Sequence, residues 1–243
     1  MRNDRYECER AQRVVGFVSL LERLTVAAAI LVVSVAIAVG ALTVPAYTRT
    51  MAARLDVASA SGLSEKDATA AAESVRRFVT QRNAPALSAE VAGRAGFDSA
   101  AVSHLADVRD VLLGFRSAAI ALALGLALWL VVSLARRRLR IVGRALKLGG
   151  LACLLAPVVL GLAGALDFDL FFQLFHGVFF QAGTWTFPWD SLLILLFPEA
   201  FWMTSGVLLG VLVMAQGLAL WLAGHAFEAR SEGPALEPEH THA

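Results

Sequence analysis

The sequence predicts an all-α membrane protein with four transmembrane helices, an extracytoplasmic helical cap and a short interfacial or re-entrant helix. Three observations predict it. The 243 residues are 58% hydrophobic and 17% charged, with mean hydropathy +0.65, more apolar surface than a water-soluble core of this size can hide. Four segments, Leu24 to Val44, Ala118 to Ala135, Leu148 to Leu166 and Ser205 to Ala223, approach the roughly 20 apolar residues that cross a bilayer as a helix. Leaving aside the long segment 45–117, whose nine Lys and Arg do not hinder translocation at that length, Lys and Arg crowd into residues 1–23 and 136–147 and are missing from 167–204. That asymmetry places residues 1–23 and 136–147 in the cytoplasm and 167–204 outside. An even number of spans then returns the C-terminus to the cytoplasm.

Taken in order, residues 1–23 form a cytoplasmic leader carrying Arg2, Arg5, Arg10, Arg13 and Arg23. The first span, 24–44, reads as an uncleaved anchor. Ala38-Val39-Gly40 offers small residues for cleavage, but the apolar run exceeds the roughly 7 to 15 residues of a signal peptide. Residues 45–117 form the cap. Within it Ser64-Glu65-Lys66-Asp67 starts a helix whose Ala68, Ala71, Ala72, Val75, Phe78 and Val79 recur at helical spacing, so this face packs inward. A second helix begins near Asp98 or Ser99 and runs through Leu105 and Leu112 into the span at 118–135. His104 and Asp107 therefore share a helix face.

After the basic loop 136–147 and the third span, 148–166, comes the extracytoplasmic interfacial segment 167–204. Phe168, Phe171, Phe172, Phe175 and Phe179 fall on one helical face, with Phe180 apart and Asp169, Gln173 and His176 forming a polar edge. This helix is too short to span. Trp185, Phe187 and Trp189 resemble an aromatic belt. Asp190 or Ser191 caps an apolar turn from Leu192 to Phe197, and Pro198 and Glu199 open the last helix, where a missing N–H and a negative charge are both favourable. The fourth span is 205–223. The Glu- and Pro-containing tail, 224–243, has the composition of a disordered cytoplasmic segment. Its His240 and His242, the helix-end His225, and the two cysteines, Cys8 and Cys153, receive no functional role.

A net charge of +1 gives no reason to expect nucleic acid as a partner. The chain lacks a phosphate-cradling glycine loop, an HExxH helix, cysteine and histidine at metal-site spacing, and a GxSxG elbow. ATP use and serine-nucleophile chemistry are disfavoured, and no metal or cofactor is expected. Two histidines on the same side of the membrane, each with a carboxylate within helical reach, form a candidate general acid–base pair. Such a pair needs a substrate that brings its own nucleophile, such as a membrane lipid or lipid-modified peptide with an amine close to an ester. The competing expectation is a non-enzymatic membrane protein that binds lipid, metal or a partner through the same histidine face.

Several ordered motifs carry a family resemblance. Phe97, Ser103-His104-Leu105-Ala106-Asp107-Val108-Arg109, Leu174-Phe175-His176-Gly177-Val178-Phe179-Phe180, Trp185-Thr186-Phe187 and Leu195-Leu196-Phe197-Pro198-Glu199-Ala200-Phe201-Trp202 together resemble the lipoprotein intramolecular transacylase (Lit) family of Gram-positive bacteria. The chain departs from the family pattern at Ala101 and Arg109, where Glu and Lys are common. The resemblance implies transfer of the sn-2 acyl chain of a diacylglyceryl-modified cysteine to that cysteine's α-amine, giving a lyso-form lipoprotein. It also implies that His104 and His176 are the essential pair. On this expectation His176 is the base, and His104, oriented by Asp107, positions the lipid head or shares the proton. Trp185, Arg109 or a backbone amide stabilises the oxyanion. Asp190 and Glu199 are supporting residues, and Phe172, Phe175, Phe179 and Phe180 hold acyl chains. The expected partners are the diacylated lipoprotein and membrane lipids, with the protein taken as a monomer and its site at the outer leaflet.

Overall fold

The structure is a computed structural model that describes the backbone of residues 2–232 and the side chains of residues 16–231. In chain order its elements are α1 (Arg2–Leu42), α2 (Pro45–Arg54), α3 (Val57–Ser61), α4 (Glu65–Thr80), β1 (Glu90–Val91), β2 (Arg94–Ala95), α5 (Ser99–Ala135), α6 (Leu139–Leu166), α7 (Phe168–Phe179), α8 (Leu192–Leu196) and α9 (Glu199–Glu232). Among the described residues, α1, α5, α6 and α9 are the helices long and apolar enough to cross a membrane. Their outward residues are apolar, as at Leu124, Leu128, Val159 and Val207, each more than 60% exposed. Water would penalise such surface, and hydrocarbon accepts it. The protein is a multi-pass membrane protein.

The chain divides into two compact units. One comprises residues up to Ser34, Ala121–Leu155 and the chain from Met214 onward. Its α6 and α9 segments approach through glycines spaced two turns apart on each helix. A Cβ on Gly150 would lie 2.6 Å from the Gly217 carbonyl oxygen, and one on Gly143 would lie 2.8 Å from that of Gly224. Only the absence of side chains lets the two backbones meet this closely. Gly149 makes similar room for Ile30 of α1. At the polar end Glu22 accepts hydrogen bonds from Trp129 Nε1 (2.9 Å) and Arg138 (2.6 Å).

The last helix differs from the sequence expectation. Instead of giving way to a disordered tail after residue 223, α9 continues to Glu232. Its extra turns are held by packing: Gly224 against Gly143, His225 edge-on to Trp221 at 4.3 Å, and Glu228 paired with Lys147. Residues 233–243, including His240 and His242, lie outside the described residues. So do Cys8 and the leader arginines at positions 2 to 13 as side chains; the leader backbone from Arg2 is part of α1.

The second unit comprises Val35–Ile120 and Ala156–Val213. Its core joins Ala68, Ala71, Ala72, Val75 and Phe78 of α4 to Ala101 and Leu105 of α5 and to Leu192, Leu193 and Leu196 of α8. The α4 face is the one its periodicity predicts. Ser64 caps α4 by accepting from the Asp67 amide (3.1 Å), which satisfies one of the orphan donors of the first turn. A hairpin absent from the sequence expectation, β1–β2, turns through Ala92 and Gly93, both at positive φ, as a tight primed turn requires. Its ladder continues through Gly96 N–H to Ala89 O (2.8 Å) and Phe97 N–H to Ser88 O (2.9 Å). This delivers Phe97, 3% exposed, into the core. Asp98 then accepts from the Ala101 amide (2.7 Å). The start and rotation of α5, and hence the position of His104, follow from these contacts.

Candidate active site

Helix α7 presents the second histidine. Asp167 caps it by accepting from the Leu170 amide (2.9 Å), and the next turns place Phe168, Phe172 and His176 along one stripe at four-residue spacing. His176 is buried, whereas Phe175 and Phe179 on the neighbouring stripe are 49% and 47% exposed. The helix ends at Phe179. Phe180 adopts extended backbone, φ −130°, which carries its ring off the helical wheel. The sequence set Phe180 apart from the aromatic face, but its ring packs 4.9 Å from His104 and 5.7 Å from His176. Termination of the helix is the physical reason.

Both histidines lie in the second unit and meet there. Their ring centroids are 6.2 Å apart, with planes inclined by 31°. Ring nitrogens sit about 1.2 Å from a centroid, so nitrogens of the two rings are at least about 3.8 Å apart, outside hydrogen-bond range. A proton passing between them must travel on a third group. The shell around them is aromatic: Phe172 is 3.9 Å and Trp185 4.8 Å from His176, and Phe187 is 5.5 Å from His104.

Hydrogen bonding distinguishes the two imidazoles. His176 Nδ1 lies 2.8 Å from the Phe172 carbonyl oxygen. A carbonyl can only accept, so Nδ1 carries the hydrogen and Nε2 keeps its lone pair. Burial lowers the His176 pKa below the ordinary 6.5, an effect partly opposed by the bond to Phe172 O. Near neutrality His176 is therefore an uncharged base with a defined tautomer. His104 Nδ1, in contrast, is buried without a hydrogen-bond partner, and so is Trp185 Nε1. An indole nitrogen can only donate. The site thus holds a free lone pair on one ring and an unengaged N–H on the ring stacked against it.

The remaining sequence candidates fall elsewhere. Asp107 is exposed and makes no hydrogen bond to His104, so it reaches that imidazole through its charge alone. Three residues along a helix leave Asp107 on the solvent side of the face that His104 buries. Arg109 stacks on Phe78 of α4, its guanidinium carbon 4.8 Å from the ring centroid, and also approaches Asp110 at 3.9 Å. It serves the cap core. Asp190 is exposed, and Ser191 caps α8. Glu199 is exposed in the first turn of α9. Phe187 lines the site more directly than its place in an aromatic belt suggested. Among the described residues, no group of three or more His, Cys, Asp or Glu side chains could hold a metal ion.

A search of curated proteins finds no match to this sequence. Among solved structures, the membrane-integral lipoprotein intramolecular transacylase Lit from Bacillus cereus superposes with TM-score 0.71 at 17% identity, covering 89% of this chain and 99% of that one. Two structures of the same protein, each with one histidine substituted, give TM-score 0.71 at 15% identity. The arginine variant covers 92% of this chain and 98% of its own, and the alanine variant 91% and 99%. At such identity these likenesses establish a shared fold. The family model for the lipoprotein intramolecular transacylase Lit matches residues 23–202, which include both histidines, Trp185 and the whole cap. With most of its length so matched, this membrane-integral chain belongs to the lipoprotein intramolecular transacylase family and is an acyltransferase.

Proposed function

We propose that the chain moves the sn-2 acyl group of a diacylglyceryl-modified N-terminal cysteine onto that cysteine's own α-amine, with His176 as the base. The observation that carries this reading is the convergence, in one aromatic shell, of an imidazole with a free Nε2 lone pair and an indole N–H without a partner. The reaction is an isomerisation. An α-amine with an ordinary pKa near 8 is partly neutral at physiological pH, and its lone pair attacks the ester carbonyl carbon. His176 Nε2 takes the proton the nitrogen sheds. The carbonyl π electrons move onto oxygen, and Trp185 Nε1–H stabilises that oxyanion. The bond to the glyceryl oxygen then breaks, the amide carbonyl re-forms, and the same proton passes from His176 to the departing oxygen. His104 positions the glyceryl head, and Phe172, Phe175, Phe179 and Phe180 hold acyl chain.

No enzyme nucleophile is needed because amine and ester sit on one molecule, where effective molarities reach about 10⁵ to 10⁸ M. Desolvation by the aromatic shell strengthens the oxyanion contact. The Lys/Arg asymmetry of the short connections supports cytoplasmic placement of the N-terminus and residues 136–147 and external placement of 167–204; alternation of four spans then puts the C-terminus in the cytoplasm and 45–117, long enough to cross regardless of charge, outside. The acting site then lies at the outer leaflet, where the lipoprotein's modified N-terminus resides, and a monomer suffices.

The test is to express the chain with a diacylated lipoprotein and fragment the lipopeptide in a mass spectrometer. An unchanged total mass with N-acyl fragment ions is expected from wild type, and none from His176→Ala. Absence of N-acylation with wild type, or its persistence in the variant, overturns the assignment. A gain of one acyl mass instead identifies transfer from a second molecule.

A further inference from the structure

In the first unit, a cavity of about 430 Å³ is lined by Arg140, Arg144 and Lys147 of α6 and Glu228 of α9. Spacings of four and three residues place the three cations on one stripe. Two of the nearby positive charges are already matched. Arg138 is bound to Glu22 at 2.6 Å, and Lys147 is bound to Glu228. Arg140 and Arg144 are exposed and have no carboxylate partner among the described residues. Three cations against one carboxylate leave the cavity with an excess of two positive charges.

We propose that this cavity binds the phosphate of an anionic phospholipid through Arg140 and Arg144. Guanidinium groups match phosphate oxygens with paired N–H donors, and the volume lies in the range of small-ligand sites. Depth selects a lipid over a soluble anion. Lys147 is followed directly by Leu148, where the apolar segment 148–166 begins, so the cavity sits at the edge of the hydrocarbon, where headgroup phosphates lie. The Gly143–Gly224 approach brings Glu228 up to α6: a Cβ on Gly143 would lie 2.7 Å from Glu228 Cγ. That packing holds Glu228 beside Lys147 and leaves the two arginines for an external anion. Arg136 and Arg137, both exposed, add long-range attraction for a negative surface.

The test titrates the full-length protein in neutral detergent with dioleoylphosphatidylglycerol or dioleoylphosphatidylcholine and reads retained lipid by native mass spectrometry. Wild type retains phosphatidylglycerol in preference to phosphatidylcholine. Single Arg140→Gln or Arg144→Gln substitutions weaken phosphatidylglycerol retention about 5-fold and the double substitution about 30-fold, from the increment expected of one basic side chain near an anionic surface. Phosphatidylcholine retention is unchanged. Glu228→Gln removes the competing carboxylate and tightens phosphatidylglycerol, a gain that misfolding cannot produce. Equal retention of the two lipids, or undiminished phosphatidylglycerol binding in the double variant, overturns the proposal. Displacement of the lipid by an equimolar amount of inorganic phosphate, which acyl-chain anchorage should prevent, makes the ligand a soluble anion and also overturns it.

Discussion

Replacing Trp185 by phenylalanine separates catalysis from stability. Trp185 stacks 4.8 Å from His176 at 32° and meets Phe172 at 6.1 Å, while its Nε1–H is buried with nothing to bond to. Phenylalanine keeps an aromatic face in that stack and deletes the donor. An unsatisfied buried donor costs about 1–3 kcal/mol, and the lost part of the indole forfeits about 1–2 kcal/mol of apolar burial. The two offset to within about 2 kcal/mol, so folded stability barely changes. The transition state has no such compensation. Losing one oxyanion donor costs about 10² to 10³ in kcat, or about 2.7–4 kcal/mol. Initial rates of N-acyl formation from a synthetic diacylated lipopeptide, beside thermal melts in the same detergent, measure both quantities. A variant with turnover within about tenfold of wild type refutes the oxyanion role.

Three further outcomes follow from named contacts. His176 must be neutral to accept a proton and its pKa is lowered by burial, so the acidic limb of the rate profile should inflect below 6.5. An inflection at or above 6.5 contradicts a desolvated base. The unfolded imidazole binds its proton at higher pH than the folded one, so this group's stability contribution is complete above 6.5 and declines as pH falls from 6.5 toward the folded value, which acid melts of wild type against His176→Gln will show. Asp107→Asn should leave turnover within a few-fold of wild type, because Asp107 does not hydrogen-bond His104; a loss as deep as that of His176→Ala would restore the carboxylate to the machinery. Gly150→Val should lower thermal stability by about 1–3 kcal/mol or more through overpacking, since even its Cβ would meet the Gly217 carbonyl at 2.6 Å; an unshifted melt would mean that α6 and α9 can separate freely.

Much of the architecture was legible because its causes are local. A bilayer demands a long uninterrupted apolar run, which 58% hydrophobic composition makes visible without any knowledge of partners. Caps are equally local: Ser64 reaches an amide three residues on, and Asp98 does the same at the start of α5. The ordered motifs around His104 and His176 also pointed to the family before any coordinates did.

Other features depend on residues far apart in the chain, where periodicity carries no signal. The Gly150–Gly217 and Gly143–Gly224 approaches join helices whose glycines look individually like weak points. Asp107 is in register with His104 along α5, yet the rotation set by Phe97 and Asp98 buries one and exposes the other. Phe180 leaves its predicted wheel because α7 stops one residue earlier. The sequence by itself determined the membrane fold, the starts of α4, α5 and α9 and the family, since these follow from hydropathy, short-range hydrogen bonding and ordered motifs, whereas α1 and α6 begin at Arg2 and Leu139, inside the expected leader and basic loop rather than at residues 24 and 148. Only tertiary packing decided that His176 keeps a free lone pair beside an unengaged Trp185 N–H, because burial and hydrogen-bond partners are set by atoms from other parts of the chain.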